Sequence, residues 1–178
     1  GNIGSQLVDW PQEHVVKCLV FYHPHDSAEM RQQQDELILD VWNGCNKSGH
    51  ELLLEVILPD SNPDKDEKHY LEILSHFYSL GIQPDWWKLP PLSHDAWQAI
   101  GKLIEQHDPH CRGILLLGLD APEVELKAGF AAAAKSPWVK GFAVGRTIFG
   151  QPSRQWLQGE LDNAALIEKV KSNYLTLI

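Results

Sequence analysis

The chain has 178 residues, 43% of them hydrophobic and 22% charged, which suits one globular domain spanning 1–178 or a piece of a larger one. A formal net charge of −9 argues against a nucleic-acid groove, which needs a basic surface, but leaves room for a local cationic pocket for a small phosphorylated ligand. No apolar run approaches the roughly 18 residues of a membrane span, and the start GNIGSQLVDW lacks a secretory pattern, so a cytoplasmic protein with no membrane partner is expected.

The first apolar run, VVKCLVFYH (15–23), has no clean alternation, the pattern of a parallel strand buried on both faces. It holds Lys17 and ends at His23. His23-Pro24-His25-Asp26 is a weak metal signal because no third ligand is fixed by spacing, so it reads as a polar loop rim with no metal expected. SAEMRQQQDELILDVWNGCNKSG (27–49) predicts a helix capped by Ser27 and ending near Gly49. ELLLEVIL (51–58) predicts a second strand with Glu55 inside it, and PDSNPDKDE (59–67) a turn-rich loop on the C-terminal side of the sheet. DEKHYLEILSHFYSLG (66–81) places Leu71, Leu74, Phe77 and Tyr78 on one helical stripe and stops at Gly81.

DWWKL (85–89), hemmed by prolines that cannot donate to a sheet ladder, predicts a short third strand carrying Lys88. SHDAWQAIGKLIEQHD (93–108) predicts a helix with Ser93 as N-cap and Asp95 in the first turn. His107, Asp108 and His110 flank the next turn and read as solvated. RGILLLGLD (112–120) predicts a fourth strand, APEVELKAGFAAAAK (121–135) a helix with Pro122 near its first position, and VKGFAVGR (139–146) a fifth strand. Trp156 reads as a helix-packing anchor, and NAALIEKVKSNYLTLI (163–178) as an amphipathic helix. The three cysteines, Cys18, Cys45 and Cys111, lack zinc-site spacing and read as free thiols in a reducing compartment.

Strand starts fall roughly 27 to 36 residues apart, the length of a βα unit, so five such units in a row predict an α/β fold. Neither G-x-G-x-x-G nor a P-loop is present, which disfavours a nucleotide-binding doubly wound sheet. Lys17, His23, Glu55, Lys88, Asp120 and Arg146 instead fall toward the C-terminal ends of the predicted strands, where (β/α)8 TIM barrels carry their chemistry. Charges inside apolar strands are costly unless paired, so Lys17, Glu55 and Lys88 are expected to meet. A lysine walled by Trp86, Trp87 and Leu89 is in poor solvent for an ammonium, which favours the neutral amine that attacks a ketone. A carboxylate such as Glu55 can then move protons on the substrate and among water, carbinolamine and imine, giving Schiff-base aldolase chemistry with no metal or other cofactor. Gly145-Arg146 at the fifth strand's end, with Gly118 at the fourth's, suits a phosphate.

VVKCLVFYHP, ELLLEVI, PDWWKL, RGILLLGLDAPE and VKGFAVGRTIFGQP together resemble the C-terminal domain fused to bacterial 5-dehydro-2-deoxygluconokinase of myo-inositol breakdown. That domain is similar to class I tagatose-1,6-bisphosphate aldolase, a (β/α)8 enzyme. The resemblance implies an internal lysine at Lys17, an acid–base glutamate at Glu55, a Schiff-base lysine at Lys88, and a phosphate-binding Gly-Arg pair at Gly145 and Arg146. Tryptophans and prolines around Lys88 replace smaller residues of that family. The five strands would be barrel strands four to eight, with the kinase domain and three further strands upstream in the parent chain. Kinase activity is therefore not expected here. The implied substrate is 6-phospho-5-dehydro-2-deoxy-D-gluconate, cleaved to dihydroxyacetone phosphate and malonate semialdehyde. The rival expectation is a non-catalytic module that binds a sugar phosphate or mediates oligomerisation. Open strand edges make a homo-oligomer the expected state.

Overall fold

The computed structural model describes residues 3–118 and 123–177, with backbone alone for 123–127. A short helix α1 (Ile3–Leu7) precedes five βα units. These are β1 (Val16–Phe21) with α2 (Ala28–Ser48), β2 (Leu52–Ile57) with α3 (Lys68–Ser79), and β3 (Trp86–Leu89) with α4 (His94–His107). They continue with β4 (Gly113–Leu116) and α5 (Glu123–Ala133), then β5 (Val139–Phe142) and α6 (Arg146–Leu157), and α7 (Asn163–Leu175) follows. All four strand pairings are parallel, in the order β1-β2-β3-β4-β5.

Sequential order places each strand beside its predecessor, so no reversal creates the crevice of a doubly wound sheet. One strand face supplies the core: Val20, Leu54, Val56, Trp87, Leu89, Ile114 and Leu116 pack with Ile38 of α2, Phe77 of α3 and Ile100 of α4. Helices α2, α3 and α4 therefore lie on one side, an arrangement consistent with a (β/α)-barrel type of fold. The opposite face carries Lys17, Leu19, Phe21, Glu55 and Lys88, and there Leu19 and Phe21 are exposed.

Local sequence explains the helix ends. The Ser27 hydroxyl accepts from Met30 N–H and the Ser93 hydroxyl from Ala96 N–H, each satisfying a donor that the helix cannot. Gly49 closes α2 at φ +77°, where its N–H donates to the Cys45 carbonyl. In α3, Ile73, Leu74, Phe77 and Tyr78 are buried and Leu71 packs at the margin of the core. Trp87 is fully buried between Phe77 and Tyr78, and its Nε1–H donates to the Tyr78 hydroxyl at 2.8 Å. Burial of such a ring contributes about 3 kcal/mol, and the hydrogen bond removes the cost of its polar edge.

At the N-terminal end of the sheet, polar groups clip strand starts together. Asp85 accepts from Leu52 N–H through its carboxylate and from Arg112 N–H through its carbonyl. Glu51 pairs with Arg112 at 2.8 Å and accepts from Trp86 Nε1 at 2.7 Å.

Several expectations change. Lys17 is the second residue of β1, not near its C-terminal end. Asp108 is buried rather than solvated, because its backbone caps α4 and one carboxylate oxygen accepts from His110 N–H; His107 and His110 are exposed as expected. α6 was hidden in the sequence by Gly150 and by Pro152 in its interior. Trp156 of α6 does meet α7, donating to Asn163, but it is exposed, and α7 buries no residue despite its apolar stripe. All three cysteines are free; Cys45 and Cys111 are buried and Cys18 half-buried. Asp120 and Pro122 lie outside the described residues.

Candidate functional site

Pleating decides what faces what. In β3 the side chains alternate, so Trp87 and Leu89 enter the helix-side core while Trp86 and Lys88 take the other face. Trp87 and Leu89 therefore do not wall Lys88, contrary to the sequence expectation; period-2 alternation wins over sequence adjacency. Across the sheet Leu19, Glu55, Lys88 and Leu115 sit side by side in register. Lys17, one pleat earlier, reaches diagonally to the same level.

The three charges converge on one atom. Lys17 Nζ lies 2.7 Å and Lys88 Nζ 3.3 Å from Glu55 Oε2. The Glu55 side chain is 8% exposed, that of Lys88 15% and that of Lys17 49%. Two ammonium groups on one carboxylate leave a surplus positive charge, inward at Lys88 and toward solvent at Lys17. A carboxylate so enclosed must be paired, and here it is.

These side chains line a cavity of about 280 Å³ shared with Ile57, Leu117, Gly118, Gly145, Arg146 and Thr147. Gly145 is the N-cap of α6 and brings no side chain to its first turn, so the helix presents its amide end at the cavity rim. A Cβ on Gly118 would lie 2.8 Å from Val144 Cγ1 and 3.2 Å from Thr147 Oγ1, so glycine is what permits this close approach. Thr147 escaped the sequence reading, although its place right after Gly145-Arg146 put it in the same turn. A second hollow of about 480 Å³, containing Asp60, Lys65, Pro90 and Pro91, shares Ile57 and Arg146 with the first.

A larger hollow of about 520 Å³ lies by the strand starts, lined by Glu51, Asp85, Asp108 and Arg112 among others. Glu51, Asp85 and Arg112 already bind one another or backbone groups there, and in strand-and-helix barrels that end serves stability. Size alone does not make it the site.

His23 is fully buried rather than on a loop rim. Asp64 and His69, far along the chain, lie beside it, partners that no local spacing could supply.

A helix-backed, sequentially ordered parallel sheet with a Lys-Glu-Lys cluster on the opposite face defines the class: an α/β protein with a polar centre on the face away from its α2–α4 core. The chain belongs to the bacterial family described as "Uncharacterized protein conserved in bacteria (DUF2090)", whose model matches residues 1–178. It is similar in fold to the crystal structure of Cgl0159 from Corynebacterium glutamicum, with 19% sequence identity and a TM-score of 0.61. That match covers 100% of this chain and 56% of the other, so the chain spans little more than half of that protein's length. A comparison with curated proteins gave no match.

Proposed function

We propose that this chain is the lysine-bearing part of a Schiff-base aldolase of (β/α)8 type, acting on a phosphorylated keto sugar acid. The observation that carries the reading is the sharing of one buried carboxylate oxygen, Glu55 Oε2, by Lys17 and Lys88 inside a cavity. Lys88, the less exposed of the two, is the nucleophile. Lys88 passes a proton to Glu55, which returns it to the departing water, and the resulting amine attacks the substrate ketone. Loss of water gives a protonated imine. Cleavage of the neighbouring carbon–carbon bond sends its electron pair toward the iminium, while the substrate hydroxyl gives its proton to Glu55 and leaves as an aldehyde. The enamine regains a proton from Glu55, and water hydrolyses the imine to free Lys88 and a ketone product. Lys17 holds the Glu55 carboxylate in place and adds positive charge for an anionic substrate.

The substrate phosphate goes to Gly145, Arg146 and the first turn of α6, with Gly118 nearby. The resemblance to the domain fused to 5-dehydro-2-deoxygluconokinase favours 6-phospho-5-dehydro-2-deoxy-D-gluconate. The missing strands of the barrel would belong to a longer parent protein. A phosphate-release-free assay that follows dihydroxyacetone phosphate formation by the parent protein tests this. Lys88→Met abolishes turnover, and Glu55→Gln lowers kcat by on the order of 100-fold or more. Undiminished turnover in Lys88→Met refutes the proposal.

A further inference from the structure

We infer that His25, His69 and Glu72 form a binding site for a zinc-class divalent transition-metal ion. One ligand atom from each lies within 4.8 Å of the others, and the three come from the β1–α2 loop and the first turns of α3. His69 is the fixed point. Its side chain has no exposure, and its Nδ1 lies 3.1 Å from Glu72 Oε2. The His25 ring stands 5.1 Å from the His69 ring at an interplanar angle of 78°. His25 is exposed, and its ring nitrogens make no hydrogen bond among the described residues.

The other side of His69 carries a second, independent sign. Its Nε2 is buried and 3.0 Å from Asp64 Oδ2, yet the carboxylate lies off the direction needed for a hydrogen bond. A small turn of the exposed Asp64 carboxylate lets it accept that N–H once a metal occupies Nδ1. Carboxylates in this outer position are the usual partners of metal-bound histidines.

His23 completes the arrangement without being a ligand. Its Nδ1 accepts from the His25 backbone N–H at 3.1 Å, so its Nε2 carries the proton that meets the Asp64 carbonyl at 3.0 Å. Both nitrogens are thereby occupied. What His23 does is pin the β1–α2 loop and the β2–α3 loop on either side of His69, which explains a fully buried histidine in a loop.

Two imidazoles and one carboxylate favour Zn²⁺ over the hard cations Mg²⁺ and Ca²⁺, which prefer all-oxygen sets. Donors of a tetrahedral zinc are roughly 3.3 Å apart, given bonds of about 2.0–2.1 Å. The exposed side chains of His25 and Glu72 can turn by that little, whereas His69 cannot. Bound there, the ion would tie the loop after β1 to the start of α3, on the side of the sheet where the strands end.

The test is calorimetric titration of ZnCl2 into the untagged 178-residue chain after chelator dialysis, with MgCl2 as control. One Zn²⁺ per chain is expected, with no Mg²⁺ heat. His25→Ala and Glu72→Ala, both at exposed positions, each weaken zinc binding by about 10-fold or more, and His14→Ala leaves it unchanged. His69→Gln abolishes binding; circular dichroism checks that it folds, and the two surface variants decide the matter if it does not. Absence of zinc binding by the folded chain, or binding unchanged by either surface substitution, overturns the inference.

Discussion

Glu55 sits where a leucine would pack at less expense, between two lysines on a sheet face that is otherwise largely apolar. Replacing a buried ionic cluster by apolar side chains of similar size is often neutral or stabilising by about 1–4 kcal/mol. The variant Lys17→Met/Glu55→Leu/Lys88→Met is therefore expected to unfold at the same or higher urea concentration than the wild type, while losing turnover. A large loss of stability would mean that the cluster serves the fold. The meeting of Lys17, Glu55 and Lys88 was legible in the sequence because each charge interrupts an apolar run, and a buried charge needs a partner. The surroundings of Lys88 were not, because adjacency in PDWWKL suggested Trp87 and Leu89 as its neighbours and pleating turned both away. The thiols give a further check at this scale. Burial pushes Cys45 up to about 11 and Cys111 up to about 12, and raises Cys18 as well. In the native protein at pH 8 all three should react slowly with a thiol-directed disulfide reagent, and promptly once denatured.

β3 is only four residues long, yet it carries both a main core anchor and the proposed nucleophile. Trp87→Ala should cost about 3–5 kcal/mol in denaturant unfolding, through lost area and the cavity left between Phe77 and Tyr78. At the start of β4, Gly113 adopts φ +143°, and a Cβ there would lie 2.7 Å from the Trp138 carbonyl oxygen. Gly113→Ala is expected to destabilise by more than about 1 kcal/mol, since the Trp138 backbone just before β5 must move. Apolar runs made all five strands legible, although β5 stops at Phe142 and Arg146, expected at its end, opens α6; Ser27 and Ser93 marked two helix starts. α6 was illegible because Pro152 breaks its pattern from within. The histidine cluster was illegible for another reason: His25 and His69 meet only where the loop after β1 lies against the start of α3.

At the scale of the molecule, burial raises the pKa of three of the four tyrosines. Burial and then the Asp35 charge raise Tyr22, burial raises Tyr78 strongly, and burial takes Tyr70 to about 12. An unfolded tyrosine ionises near 10, so the folded chain holds protons that the unfolded chain has lost. Their stabilising contribution is complete below about pH 10 and disappears as pH rises from there toward 12 and beyond. Absorbance of tyrosinate should therefore rise together with loss of helical circular dichroism in an alkaline titration. Ionisation of these tyrosines well before unfolding would contradict their burial. Among the described residues the sheet has two edge strands, β1 and β5, and in β1 the exposed Leu19 and Phe21 stand on the face opposite the core. Unpaired edges and exposed apolar side chains favour association. Sedimentation velocity is expected to show the isolated 178-residue chain forming dimers or larger species as concentration rises; a strict monomer would contradict this. The repeating βα units showed this α/β class in the sequence, whereas local patterning gives no sign of what would cover the exposed Leu19 and Phe21.

Borohydride trapping of the protein with dihydroxyacetone phosphate, followed by peptide mass mapping, tests the central claim most directly. The account predicts a reduced adduct on the peptide containing Trp87-Lys88-Leu89, absent in Lys88→Met. An adduct on a different lysine, or none in a folded sample, would contradict it.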